Sequence, residues 1–279
     1  MIMIGTGSTI GHCAVASWID GKLYVLESQD GWYWPYKGIQ KNEWKEWCRL
    51  AHIADFNVAV LPLSDEARAK FDEKKALEWY FNGIEGLNYG YHNFLFSFID
   101  TKDSNLPWIL EHQHFEFIFT VLEKISEPLA TKMLGEGVNM RLGTKGLSLV
   151  QASAEAARRG MTFEELLAIP EQDGWEYSDG KNYVCSCFVV AFWKAGGLFG
   201  DLEINATEFT PKDVYSLNFF NLKYNKPQVC QDSDPELPYC QIMGKIKVDL
   251  PGYGTIKPYS HMNERCPSLC PDFKRPDGC

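Results

Sequence analysis

Asp20-Gly21 restricts the fold more than any other feature of the chain. It separates Gly11-His12-Cys13-Ala14-Val15-Ala16-Ser17-Trp18-Ile19 from Lys22-Leu23-Tyr24-Val25-Leu26-Glu27-Ser28. Asp-Gly between two β-rich runs dictates a hairpin, because a type I′ turn needs positive φ at both central residues. The two-residue loop also sets the register, with Ala14 opposite Glu27 and His12 opposite Gln29. Side chains alternate faces with period two, so His12, Glu27 and Gln29 share one face, and Glu27 sits diagonal to His12.

The rest of the 279 residues can bury a sizeable core: 45% are apolar and only 23% charged. The net charge of −10 excludes nucleic acid and anionic membrane surfaces as natural partners, since both demand a cationic face. No apolar run has the length of a membrane span. The first residues, Met1-Ile2-Met3-Ile4-Gly5, lack the basic and apolar regions of a signal peptide, so a secreted protein would carry its leader upstream of this chain.

Nine cysteines are present. Cys13, Cys48, Cys185 and Cys187 lie in the body, whereas Cys230, Cys240, Cys266, Cys270 and Cys279 crowd a tail, 226–279, that also holds eight of the fourteen prolines. That composition builds no core of its own and points to disulfide fastening. Zinc is the rival, disfavoured because no C-x-x-C pair occurs and His261 lacks finger spacing. Disulfides imply an oxidising compartment, secreted or lysosomal/vacuolar, and the sequon Asn205-Ala206-Thr207 agrees. An odd cysteine count leaves one thiol free. Cys185 is expected to be that thiol, with at least one of Cys13, Cys48 and Cys187 tied to the tail.

Further elements follow from local pattern. Asp65 to Phe81 reads as a helix capped by Ser64, and Gly86 to Tyr91 as a turn-rich aromatic loop. Positions 107–170 read mostly helical, with a capping box at Thr162 and Glu165. In Asn182-Tyr183-Val184-Cys185-Ser186-Cys187-Phe188, Asp179-Gly180 precedes a helical apolar pattern that Gly196-Gly197 ends. Cys185 thus falls at a buried helix start, where the dipole and unpaired amides favour a thiolate and can hold an oxyanion. A buried structural cysteine is the bland alternative. Among six histidines, His12 alone has an acidic neighbour on a strand face; His92 lies in the aromatic loop, and His112-x-His114 is a candidate metal pair without a third ligand.

His on a strand, an Asp-Gly hairpin, an acidic residue on the return strand and a much later Tyr-x-Cys-Ser together resemble the circularly permuted papain-like superfamily. Its members include NlpC-type cell-wall peptidases and lecithin retinol acyltransferases. The resemblance rests on Gly11 to Ser28, Gly86 to Asn93 and Tyr183 to Val189. It implies Cys185 as nucleophile, His12 as base, Glu27 as the residue orienting the imidazole, and Tyr183 beside the reacting carbonyl. It also suggests Tyr89, Tyr91 and Trp32 as substrate-binding residues. Cys187, the long 100–180 segment and the cysteine-rich tail depart from the bacterial pattern.

The resulting expectation is an α+β papain-like domain, 1–225, whose small antiparallel sheet packs on the catalytic-cysteine helix. A helical insertion spans roughly 100–180, and the tail packs on the domain. The expected activity is a cysteine peptidase or amidase that cleaves an amide through a thioester, with no metal or organic cofactor and no obligate protein partner. Alternatives are a thiol-dependent acyltransferase or lipid/thioester hydrolase of the retinol acyltransferase type, a binding module with a dead site, and a metal hydrolase built on His112 and His114.

Overall fold

The Asp-Gly turn closes as its residues demand. In the computed structural model Asp20 and Gly21 take φ of 48° and 75°. β1 (Val15–Ile19) pairs antiparallel with β2 (Lys22–Gln29), Val15 opposite Leu26 and Ile19 opposite Lys22, in the register the turn imposes. The structure describes residues 3, 8–31, 36–92, 96, 112–223 and 225–264. β1 is shorter than the β-rich run suggests: residues 10–14 leave the ladder, so His12 and Cys13 lie on an irregular approach to the sheet rather than on a strand. β3 (Gly38–Glu43) adds to the other edge of β2. Its sequence is mostly polar, which hides it from a reading based on apolar alternation.

Alternation divides the sheet into two faces. Val25 packs with Trp47 and Ala51 of α1 (Trp44–Ile53), while Leu26 and Ile39 join a large core centred on the Cys185 helix. The sheet does pack on that helix, yet Glu27 projects from the opposite, α1-covered face. β4 (Val58–Val60) follows. The single helix expected over 65–81 is two, α2 (Asp65–Lys70) and α3 (Glu73–Phe81). Ser64 caps the first, and Asp72 starts the second by accepting from the Lys75 amide at 3.0 Å. The break has a tertiary cause, because the Asp72 amide donates to the Gly196 carbonyl at 2.8 Å.

After β5 (Asn88–Tyr89), the insertion runs through α4 (His112–Ile125), α5 (Glu127–Ala130), a π turn at Thr131–Gly135, α6 (Glu136–Leu142), α7 (Leu149–Arg158) and α8 (Phe163–Leu167). Thr162 and Glu165 form the expected capping box. These helices bury their own cluster, including Leu134, Val138, Ala152, Leu166 and Leu167.

The chain returns to the main core through β6 (Asn182–Tyr183), α9 (Cys185–Ala195), α10 (Pro211–Ser216), α11 (Gln228–Ser233) and β7 (Cys240–Met243). The tail is more than a strap. Tyr239, Val248, Leu250, Tyr253 and Met262 belong to the same buried cluster as α9, and β7 pairs with β4. Cys230 pairs with Cys240 inside the tail, whereas Cys13, Cys48 and Cys187 are free thiols, so none of them makes the expected bond to it. The reason at Cys187 is local: its Sγ points inward to the Thr207 carbonyl at 3.3 Å. Cys266, Cys270 and Cys279 lie outside the described residues. Among the described residues no helix is long and apolar enough to cross a membrane.

Candidate active site

Cys185 is the first residue of α9, and its preceding residue, Val184, is extended with no side-chain cap. Amides of a helix's first turn have no intrahelical acceptor, so those of Cys185, Ser186 and Cys187 converge on the start of α9 as donors. Everything from Cys185 to Trp193 is buried, which fixes the helix axis. Gly196 and Gly197 end it, Gly197 with φ of 77°.

His12 reaches this helix start past the end of β1. Its Nε2 lies 2.8 Å from Glu27 Oε2, and the Cys185 sulfur acts on the same ring electrostatically. Burial by itself would lower the His12 pKa; the Cys185 sulfur and the Glu27 carboxylate outweigh it and raise it to about 10. Cys185 shifts the other way. Cys13 is the largest influence and His12 adds to it; together they overcome burial and hold the Cys185 pKa well below the usual thiol value. Both shifts run in the direction that favours an imidazolium–thiolate pair.

Glu27 is fully buried and accepts from both sides, its second oxygen taking the Trp47 indole N–H at 2.9 Å. Gln29, the competitor for His12, is buried opposite Gly38 while Glu27 holds the ring. Trp47 was not legible as a site residue; the only signal was an aromatic in the stretch after the hairpin. Trp47→Phe removes the donor while keeping an aromatic ring. A loss of about 1–3 kcal/mol in urea unfolding is expected, together with slower alkylation of Cys185, since a buried carboxylate oxygen loses its partner. An unchanged alkylation rate would separate Trp47 from the site.

Tyr183 is expected beside the reacting carbonyl and Tyr89 in substrate binding. Tyr89 and Tyr183 stand side by side through the parallel β5–β6 pairing. The Tyr183 ring is edge-on to Trp79 at 6.1 Å, and its phenol pKa is raised to about 12 by burial and then by Asp173 and Cys187. Tyr89 is the phenol acted on by Cys185, which after burial is the largest cause raising its pKa. Tyr91 packs edge-on to Tyr89 at 5.0 Å and is half-exposed, and Trp32 lies outside the described residues. Gly38, with φ of 91°, permits the loop carrying Tyr89 to approach: a Cβ there would stand 2.3 Å from the Leu87 carbonyl oxygen.

His92 is not near the sulfur. It is buried, stacked on Tyr177 at 4.5 Å, and its Nε2 lies 3.0 Å from Asp179, which also accepts from Lys132 and Asn182. This network ties the insertion to the strand before Cys185. Among the described residues no group of three His, Cys, Asp or Glu side chains is placed to hold a metal ion. Asn205 does not present an open sequon: its amide donates to Glu264 at 2.9 Å, and Thr207 is buried with its hydroxyl on Asp173. A glycan at Asn205 would have to displace Glu264, which argues against the modification in the folded chain.

No protein-family model, curated protein or solved structure matches the chain.

Proposed function

We propose that the chain is a cysteine hydrolase, a peptidase or amidase of the circularly permuted papain-like type. One observation carries the reading: a buried helix-start cysteine and a histidine that act on each other electrostatically, with the histidine Nε2 held by a buried glutamate. The Cys185 thiolate attacks an amide carbonyl, and first-turn amides of α9, with Tyr183 two residues before the cysteine, receive the oxyanion. His12 then gives its proton to the departing amine, leaving a thioester on Cys185. Water, deprotonated by His12, hydrolyses that thioester. Glu27 and Trp47 keep the imidazole in one orientation throughout. The Cys230–Cys240 disulfide fits an oxidising compartment, secreted or lysosomal/vacuolar.

The test is to incubate the protein with activated amide and ester reporters and map adducts by mass spectrometry. An acyl group on Cys185, turnover in water and loss of both in Cys185→Ala agree with the proposal. Transfer to an added alcohol or lipid without release into water would favour the acyltransferase alternative. Absence of any Cys185 adduct, with slow alkylation at pH 6, would overturn the nucleophile assignment.

A further inference from the structure

β1 is the outer strand of its three-stranded sheet, whose order is β1-β2-β3. Ile19 and Lys22 flank the two-residue turn and exchange both ladder bonds, so Val15, Ser17 and Ile19 bond inward to β2. Ala16 and Trp18 therefore aim their N–H and C=O groups off the edge. Among the described residues no other backbone group pairs with them. Folded proteins blunt such an edge with lysine, proline or a covering loop, because it is a template for another strand. Here Ala16 is exposed and Trp18 is 62% exposed.

A helix stands beside that edge. α3 is tied to β1 by the Ser17 hydroxyl, which donates to Glu73 at 2.6 Å. Between the hairpin tip and α3 lies a groove of about 550 Å³. Trp18 enters it from the strand, and Leu77 and Phe81, one helical turn apart, enter it from α3. The charged lining is one-sided: the carboxylates of Asp20, Glu73 and Glu78 stand against a single amine, Lys74. The aromatic surface already takes a cation of this chain, since the Lys41 ammonium lies 5.3 Å from the Phe81 ring centroid. A tryptophan face attracts a cation more strongly still.

We propose that this groove docks an extended basic peptide segment of a partner protein, paired with the outer edge of β1. Main-chain bonds to Ala16 and Trp18 hold the added strand, and its alternate side chains face α3. Lysine or arginine at those positions meets the Trp18 and Phe81 rings and the carboxylates. Charge decides the occupant. A second copy of this chain would bring a net charge of −10 and the same acidic rim against itself, whereas a basic strand neutralises the rim. The inference is independent of the proposed function, because Cys185, His12 and Glu27 do not line the groove.

The probe is a fluorescein-labelled peptide, about ten residues long, that alternates valine with lysine; its control carries glutamate for lysine. Binding to the full chain is read by fluorescence anisotropy. The lysine peptide should bind at least tenfold more tightly than the glutamate peptide, and should weaken as salt is added. A form methylated on every backbone nitrogen keeps its charges but should lose more than tenfold, because it cannot pair as a strand. Trp18→Ala and Glu78→Lys alter exposed side chains and should each weaken binding about tenfold while Cys185 alkylation stays unchanged. The charge and methylation comparisons use the unaltered chain, so they decide the matter even where a variant fails to fold. No saturation by the lysine peptide at about 1 mM, equal binding of the two peptides, or affinity indifferent to backbone methylation would overturn the proposal. Binding that is lost on alkylation of Cys185 but intact in Trp18→Ala would place the peptide at the active site and overturn it as well. A dimer in sedimentation that Trp18→Ala dissolves, with no peptide bound, would give this face to a second copy instead.

Discussion

Replacing His12 by alanine is expected to slow iodoacetamide labelling of Cys185 at pH 6 by about 100-fold. A thiol of ordinary pKa near 8.5 is only about 0.3% ionised at that pH. In the intact protein Cys185 is held well below its usual value, in part by the charge of His12. Its labelling rate should therefore stay nearly level from pH 8 to pH 6. In His12→Ala the rate should fall on acidification more steeply than in the parent, because the thiolate loses the charge of His12 that helps hold it. Glu27→Gln retains a hydrogen-bonding side chain but removes the charge facing the imidazole, and a smaller loss, about tenfold, is expected. Gln29→Ala should label like the parent. A flat, unchanged profile in His12→Ala would remove His12 from the chemistry, and a large effect of Gln29→Ala with none from Glu27→Gln would reverse their roles.

The second large effect concerns stability. Arg141 and Glu171 form an ion pair whose side chains are 0% and 1% exposed, at 3.0 Å, in the insertion and the segment that leaves it. The guanidinium also donates to the Ile169 carbonyl at 2.8 Å and lies 3.5 Å from the Phe96 ring centroid, while the Tyr177 hydroxyl donates to Glu171. Arg141→Met keeps much of the volume and strands the carboxylate. Breaking one partner of such a pair costs about 3–5 kcal/mol, read as a lower urea midpoint without a change in slope. The pH dependence has a definite sign. Burial raises the Glu171 pKa, and Arg141 is the largest influence opposing it. Without Arg141 the folded state binds the proton more tightly than the unfolded state does, so stability falls as pH rises through the window above about 4.3. The variant should thus lose less at pH 5 than at pH 8. Adding Glu171→Gln should restore part of the loss and flatten that slope. Equal stability of Arg141→Met and the parent at pH 8 would contradict the buried charge.

Local signals in the sequence carried far. The Asp20-Gly21 turn fixed a register that later elements could not alter, and the apolar spacing after Cys185 with Gly196-Gly197 behind it delimited α9. These features act over a few residues, where backbone sterics decide. What stayed hidden depends on contacts between distant segments. The break at Asp72 needs the Gly196 carbonyl, and Trp47 matters only because α1 covers the Glu27 face. Composition misled in one place. A proline- and cysteine-rich tail promises little packing, but its scattered Tyr239, Tyr253 and Met262 fill gaps in a core that other segments build.

That use of the tail has a consequence for the order in which the molecule is assembled. Val58 in β4 lies opposite Met243 in β7, so a strand made early in synthesis waits for almost the whole chain before it is paired. Contacts so remote in sequence form slowly, after many residues have been ordered. The hairpin and the insertion, by contrast, close on near neighbours and can form while the ribosome is still elongating. The cluster that seats α9 stays open on one side until Tyr253 and Met262 have emerged. A nascent chain therefore holds Cys185, His12 and Glu27 well before the packing that seats α9 is complete, because that packing waits for Tyr253 and Met262.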